Sequence, residues 1–159
     1  MDTEPSLREK IRHNLTDKAN TQQKVFDNTQ AVFDEFKETL NEMSSELNDE
    51  LEESIDKRIR IEYRDRGKFE AQLQVAGDLL IFQMHTNVFQ FDHSHQVWNT
   101  EYVAGNTDNS FCGMINIYNF LSGSLKFNRV VDEGYLIGRV FINREMSWFV
   151  EGKGQTGLK

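Results

Sequence analysis

Two incompatible rhythms of apolar residues divide the chain. Up to about residue 57 they recur at helical spacing: Leu7, Ile11 and Leu15, then, after the polar stretch "TDKANTQQK", Phe26, Phe33, Phe36, Leu40, Met43 and Leu47. Steps of 3, 4, 3 and 4 from Phe33 to Leu47 keep one narrow stripe on one side of a helix, as in a coiled coil. Leu51 and Ile55 follow at steps of 4, which slides the stripe around the helix. No glycine precedes Gly67 and the only proline is Pro5, so nothing breaks a helix from Ser6 onward. One long helix is expected, with a helical hairpin broken near residues 14–21 as the alternative.

After Lys57 the period falls to two. In "RIRIEYRDRGKFEAQLQV" the residues Ile59, Ile61 and Tyr63 face one way and Arg58, Arg60, Glu62 and Arg64 the other. Asp65-Arg66-Gly67 then turns the chain, and Phe69, Ala71, Leu73 and Val75 resume the apolar side. Ala76-Gly77-Asp78 makes a second turn into "LLIFQMHTNVFQF", whose dense apolar start predicts a central strand covered on both faces. Further strands are expected at 96–103, 135–143 and 147–150, with turns at Gly105-Asn106 and Asp132-Glu133-Gly134. Residues 114–127 fit either a strand, through Ile115 and Ile117, or a helical turn, through Leu121 and Leu125. The whole predicts an α+β fold, a long N-terminal helix or helical hairpin followed by an antiparallel β-meander sheet. Residues 1–57 form an acidic helical segment and 58–159 a β domain, the two making one compact unit.

A length of 159 residues, 38% of them hydrophobic and 28% charged, suffices for one domain with a real core. The net charge of −8 lies in the first third: residues 1–57 carry 15 acidic and 7 basic side chains, and 58–159 carry 11 of each. Between the apolar positions of the helix stand acidic clusters, so its outer face is solvated. The stripe itself must be covered, by the sheet or by a second copy, because apolar surface left in water forfeits roughly 25 cal/mol per Å². No run approaches the roughly 20 apolar residues of a spanning helix, and "MDTEPSLREK" lacks the basic and apolar regions of a signal peptide. A cytoplasmic protein that does not enter a membrane is expected. The single cysteine, Cys112, excludes an internal disulfide and a zinc site built on several thiolates.

Candidate chemistry is sparse. On a strand, His93 and His95 in "FQFDHSHQVW" would project to one face and could share a divalent metal such as zinc with a carboxylate. The same "DHSH" is also a good turn sequence. His85, Asp92 and Glu101 are the further residues such a site would draw on. Cys112 has no neighbour that marks it as activated. The basic stripe Arg58, Arg60, Arg64 and Arg66, with Lys68, could grip phosphate or an acidic peptide, or neutralise the acidic helix end before it. Nucleic acid is not an expected partner, because the chain is acidic overall and no aromatic platform interleaves with these cations. The glycines of "EGKGQTG" lack the strand-then-helix context of a phosphate loop and read as a frayed tail. Most of the nine phenylalanines and two tryptophans beyond residue 57 are accounted for as core or interface.

These features predict a non-enzymatic intracellular interaction protein without a cofactor. It would form a homo-oligomer through Phe33, Phe36, Leu40, Met43 and Leu47, and offer the sheet or its basic stripe to a protein partner. The alternative is a small-ligand or metal-binding β domain, acting as a hydrolase, built on His85, His93 and His95.

Overall fold

A computed structural model describes residues 3–54, 56, 60–121, 134–152 and 155–156. The first third is a single unbroken helix, α1 (Leu7–Leu51), rather than a hairpin. Its start is fixed by a reciprocal cap: the Ser6 hydroxyl accepts from the Glu9 N–H (3.3 Å) and the Ser6 N–H donates to Glu9 Oε2 (3.0 Å). With 45 residues at about 1.5 Å each, α1 is about 65 Å long.

An antiparallel sheet follows, of β1 (Glu62–Asp65), β2 (Glu70–Val75), β3 (Asp78–Met84), β4 (Phe89–Gln90), β5 (Phe111–Leu121), β6 (Tyr135–Asn143), β7 (Trp148–Gly152) and β8 (Gln155–Thr156). The order β1-β2-β3-β5-β6-β7-β8 is the expected meander, and β4 adds to the start of β5. The turns at 65–67 and 76–78 lie where the glycines put them. Gly67 holds φ at 111° and its N–H is taken by Asp65 Oδ1 (2.9 Å). Of the ambiguous stretch, residues 114–121 are strand, within β5; 122–127, and the turn expected at 132–133, lie outside the described residues. Part of the tail read as frayed is strand: Gln155 and Thr156 pair with Gly152 and Glu151.

One expectation fails. Residues 96–103 are not a strand but a 3-10 turn (Gln96–Asn99) leading into α2 (Glu101–Gly105), with a second 3-10 turn at Thr107–Ser110. Polar side chains override the alternation. His95 Nδ1 accepts from the Val97 N–H (3.1 Å) and Asn106 Oδ1 from the Asp108 N–H (3.1 Å), each starting a helical turn. Val97 and Val103 still reach the interior, but as the inward face of this segment.

The sheet is therefore covered on both faces. Phe33 of α1 packs with Ala71, Phe82, Ile115, Val140 and Ile142 on one face. Phe91, Val97 and Val103 pack with Cys112, Phe141 and Phe149 on the other. What brings α1 so close is Gly113: a Cβ there would overlap the Thr29 side chain, which is itself fully buried. Polar contacts then fix the helix along its length. Asn28 Nδ2 donates to the carbonyls of Asn143 (3.2 Å) and Arg144 (2.8 Å) in the β6–β7 turn. Lys37 reaches Gly67 O (2.7 Å) and Asp65 (2.9 Å) in the β1–β2 turn. Asn48 behaves like a strand residue toward Ile61, donating to its carbonyl (2.7 Å) and accepting its N–H (3.0 Å).

Gly113→Ala is expected to destabilise the fold by about 1–3 kcal/mol, the scale of overpacking a tight core. Adding Thr29→Ala should return part of that loss, since the overlap is with the Thr29 side chain. Chemical denaturation of the two single variants and the double variant checks this; strict additivity would show that the contact does not limit the approach of α1.

Candidate interaction surface

α1 is longer than the sheet it crosses. From Leu7 to Asn20 every residue is exposed, with Leu7 at 75%, Ile11 at 51% and Leu15 at 65%. These three positions precede Val25, Thr29 and Phe33 by about five helical turns each, so both sets point in the same direction. The second set is fully buried against the sheet. The first continues the same stripe with nothing packed beneath it among the described residues.

Charge is also divided along α1. Residues 6–20 carry four basic side chains (Arg8, Lys10, Arg12, Lys18) and two acidic ones, whereas 34–53 carry nine acidic and one basic. A rod with a basic apolar overhang and an acidic far half has two complementary ends.

Beside that acidic half lies a groove of about 540 Å³, with Val32, Glu35, Phe36, Thr39, Leu40 and Met43 on the helix side and Val140, Met146, Trp148 and Val150 on the sheet side. It exists because α1 covers β5 and β6, burying Val140 and Ile142, and leaves the same face of β7 only partly covered. Trp148 pairs with Ile142 and Val150 with Val140, so both side chains stand on the α1 face. Trp148 is 65% exposed there. At the lip, Met146 has φ of 60°, a left-handed conformation that costs a non-glycine residue roughly 1–2 kcal/mol.

The residues singled out from the sequence fall into separate places. Of the helix stripe, Phe33 is core, Phe36 and Leu40 are half-buried against it, and Met43 and Leu47 are exposed. The apolar side chains that α1 leaves exposed are therefore Met43 and Leu47, together with those of the overhang. In the basic stripe, Arg58 lies outside the described residues. Arg64 is paired with Glu62 (2.8 Å), whose carboxyl its hydrogen bond holds below the usual range. Arg60 and Arg66 are exposed. The hydrogen bond from Lys37, with a second from the Gly67 N–H, likewise holds Asp65 low.

His93 and His95 do not share a face, because 91–95 is a turn and not a strand. Asp92 Oδ1 takes the Ser94 N–H (3.0 Å) and hydroxyl (3.0 Å), which keeps its carboxyl below the usual range. His93 stacks on Trp98 with ring centres 4.4 Å apart. His95 turns inward, over Phe91 (4.4 Å), and its Nε2 lies 2.8 Å from Glu151 Oε1. That pair resembles a general-base dyad, but the Val97 N–H donates to Nδ1, so the neutral ring carries its proton on Nε2 and donates it to Glu151. No ring nitrogen is left to accept a substrate proton or bind a metal. His85 Nδ1 accepts from the Asn87 N–H (3.1 Å) and its side chain is elsewhere, exposed. Among the described residues no group of three His, Cys, Asp or Glu side chains is placed to hold a metal ion. Burial pushes the Cys112 thiol up to about 12, which keeps it protonated and unreactive at neutral pH.

Sequence reasoning missed the groove entirely. Trp148 lies in the strand expected at 147–150 and Met146 in no expected element, and nothing in "REMSW" signals a left-handed residue, since neither Gly nor Asn stands at that place. The overhang was visible as Leu7, Ile11 and Leu15, and the one available signal was the sign of the charge around them.

At pH 8 roughly one Cys112 thiol in ten thousand is ionised in the folded protein. An aromatic disulfide reagent is therefore expected to label it only at the rate of unfolding; immediate labelling of native protein would contradict its burial. His95→Ala should cost about 1–3 kcal/mol, through a lost cap and a hydrogen bond to a carboxylate. The unfolding midpoint of the unmodified protein should not change with a chelator, and a fall in midpoint would reinstate the histidines as ligands.

No known protein family, curated protein or solved structure matches this chain. No helix among the described residues is long and apolar enough to cross a membrane.

Proposed function

We propose that the protein is a non-catalytic interaction and assembly module of the cytoplasm that self-associates through α1. The observation that carries this reading is the overhang: a stripe of Leu7, Ile11 and Leu15 that continues the core-facing side of α1 past the sheet and stays in water. Covering each of these side chains would stabilise a complex by about 1.5–3 kcal/mol before the costs of association. The reciprocal cap at Ser6 and Glu9 supports the same reading, because it holds helical a segment that packs on nothing else described. An isolated helix of this length is marginal in water. This one is extended from a docked helix and closed at its tip, which pre-organises it for a partner.

His95 offers no free ring nitrogen, being hydrogen-bonded at both, and His93 stacks on Trp98 on a different side of the turn rather than beside it. The fold thus works as a rigid base that presents one end of a helix.

Leu7→Gln, Ile11→Gln and Leu15→Gln together keep helix propensity while removing the stripe. Sedimentation equilibrium is expected to show an assembly larger than one chain for the unmodified protein and a monomer for the triple variant. The unfolding midpoint of the triple variant, extrapolated to low concentration, should stay within a few degrees. A strictly monomeric unmodified protein at about 100 μM would sink this reading.

A further inference from the structure

We propose that the acceptor of the overhang is the groove beside α1 in a second copy of this chain, entered reciprocally about a two-fold axis normal to the sheet. This rests on the self-association proposed above and names the surface that performs it. Three independent features meet in that arrangement.

The first is direction. Leu7, Ile11 and Leu15 point the way Val25, Thr29 and Phe33 point, toward the sheet layer. A two-fold axis normal to the sheet keeps the sheet of each copy on the same side of both helices. It lays the overhang of one copy antiparallel to the far half of its partner's helix, with the stripe facing down onto Met146, Trp148 and Val150 at the uncovered β7 side of the groove. Length agrees with this: the 14 residues from Leu7 to Asn20 span about 20 Å, and the groove wall from Val32 to Met43 runs for about 17 Å.

Charge is the second feature. The antiparallel arrangement sets Arg8, Lys10 and Arg12 beside the acidic half of the partner helix, which includes Glu35 at the groove and Glu42 and Glu46 beyond it. A parallel pairing would set acidic half against acidic half, and the helix dipoles also favour antiparallel neighbours.

The third is the lip of the groove. Met146 is held in a left-handed backbone conformation, half-exposed, where glycine would be free of strain. Strain at a surface turn is retained where the side chain has work to do, and here the side chain lines the groove next to Trp148. Met146→Gly is thus expected to make the monomer more stable and the assembly weaker.

A complementation experiment tests the arrangement. Ile11→Glu disables the overhang and Trp148→Glu disables the groove; both residues are exposed, so each variant should fold, as circular dichroism and the unfolding midpoint will show. Sedimentation velocity is expected to find each variant alone weakened in association by at least about thirtyfold, the scale of losing one interface anchor. Mixing the two should restore a dimer of one chain of each kind, because it retains one intact overhang in one intact groove. If Trp148→Glu folds and associates as well as the unmodified protein, the overhangs pair with each other, and this proposal fails while self-association through α1 stands. If Ile11→Glu also leaves association unchanged, or the unmodified protein is monomeric, the function proposed above fails with it. Should Trp148→Glu not fold, Met43→Glu disables the opposite wall of the same groove and replaces it in the mixture.

Discussion

Everything in this molecule is referred to the place where α1 crosses β5. Thr29 occupies the space that a side chain at position 113 would need, so the helix sits as near the sheet as backbone and hydroxyl allow. That distance lets Val25 and Phe33 become fully buried and brings Asn28 within reach of the β6–β7 turn. The crossing also sets the line of the helix beyond the sheet. A rod tethered at Asn28, Lys37 and Asn48 cannot swivel independently of the sheet, so the overhang inherits its bearing from a contact one residue wide. Interior packing at close to crystal density is what makes such a contact decisive.

The fold was largely legible because its two rhythms are strong. An uninterrupted run without glycine gave α1, and period-two alternation with Asp-Arg-Gly and Ala-Gly-Asp turns gave β1 to β3. The stretch 96–103 departs from the expected strand: Val97 and Val103 have the parity of a strand, but the decisive residues, His95 and Thr100, act through side-chain bonds to the backbone that leave no periodic trace. Of the two readings of "DHSH" the turn holds and the strand does not, because Asp92 closes the chain on the Ser94 N–H and ends the alternation at Phe91. The groove could not be read at all, since it is made by the part of the sheet that α1 leaves open, and the lateral position of a helix on a sheet is written in no local pattern.

The helix stripe shows how one sequence signal divides between two uses. Heptad-like spacing from Phe33 to Leu47 implied a partner helix, but a sheet face also accepts a narrow apolar stripe, and the structure spends Phe33, Phe36 and Leu40 on it. What remains exposed lies at the two extremes of α1, Leu7 to Leu15 and Met43 to Leu47. The sign of charge differs at those extremes as well. A surface arranged this way has no need of a catalytic group to be selective, because shape and polarity at two separated patches already define what can lie against both.

The hydrogen bonds from Asn28 to Asn143 and Arg144 join residues 115 and 116 positions apart. The sheet, by contrast, is stitched almost wholly between neighbouring strands. During synthesis α1 therefore precedes the sheet it packs on, and its polar anchor at Asn28 cannot form until the β6–β7 turn has been made. The meander can zip up early from local pairings, and Asn48 and Lys37 can reach β1 and the β1–β2 turn over short loops, but the Asn28 contact closes a loop of 115 residues and comes late. Until then Phe33 lacks Val140 and Ile142, so the first half of α1 keeps an apolar side bare beside an unfinished sheet, the kind of transient surface from which chains misassemble.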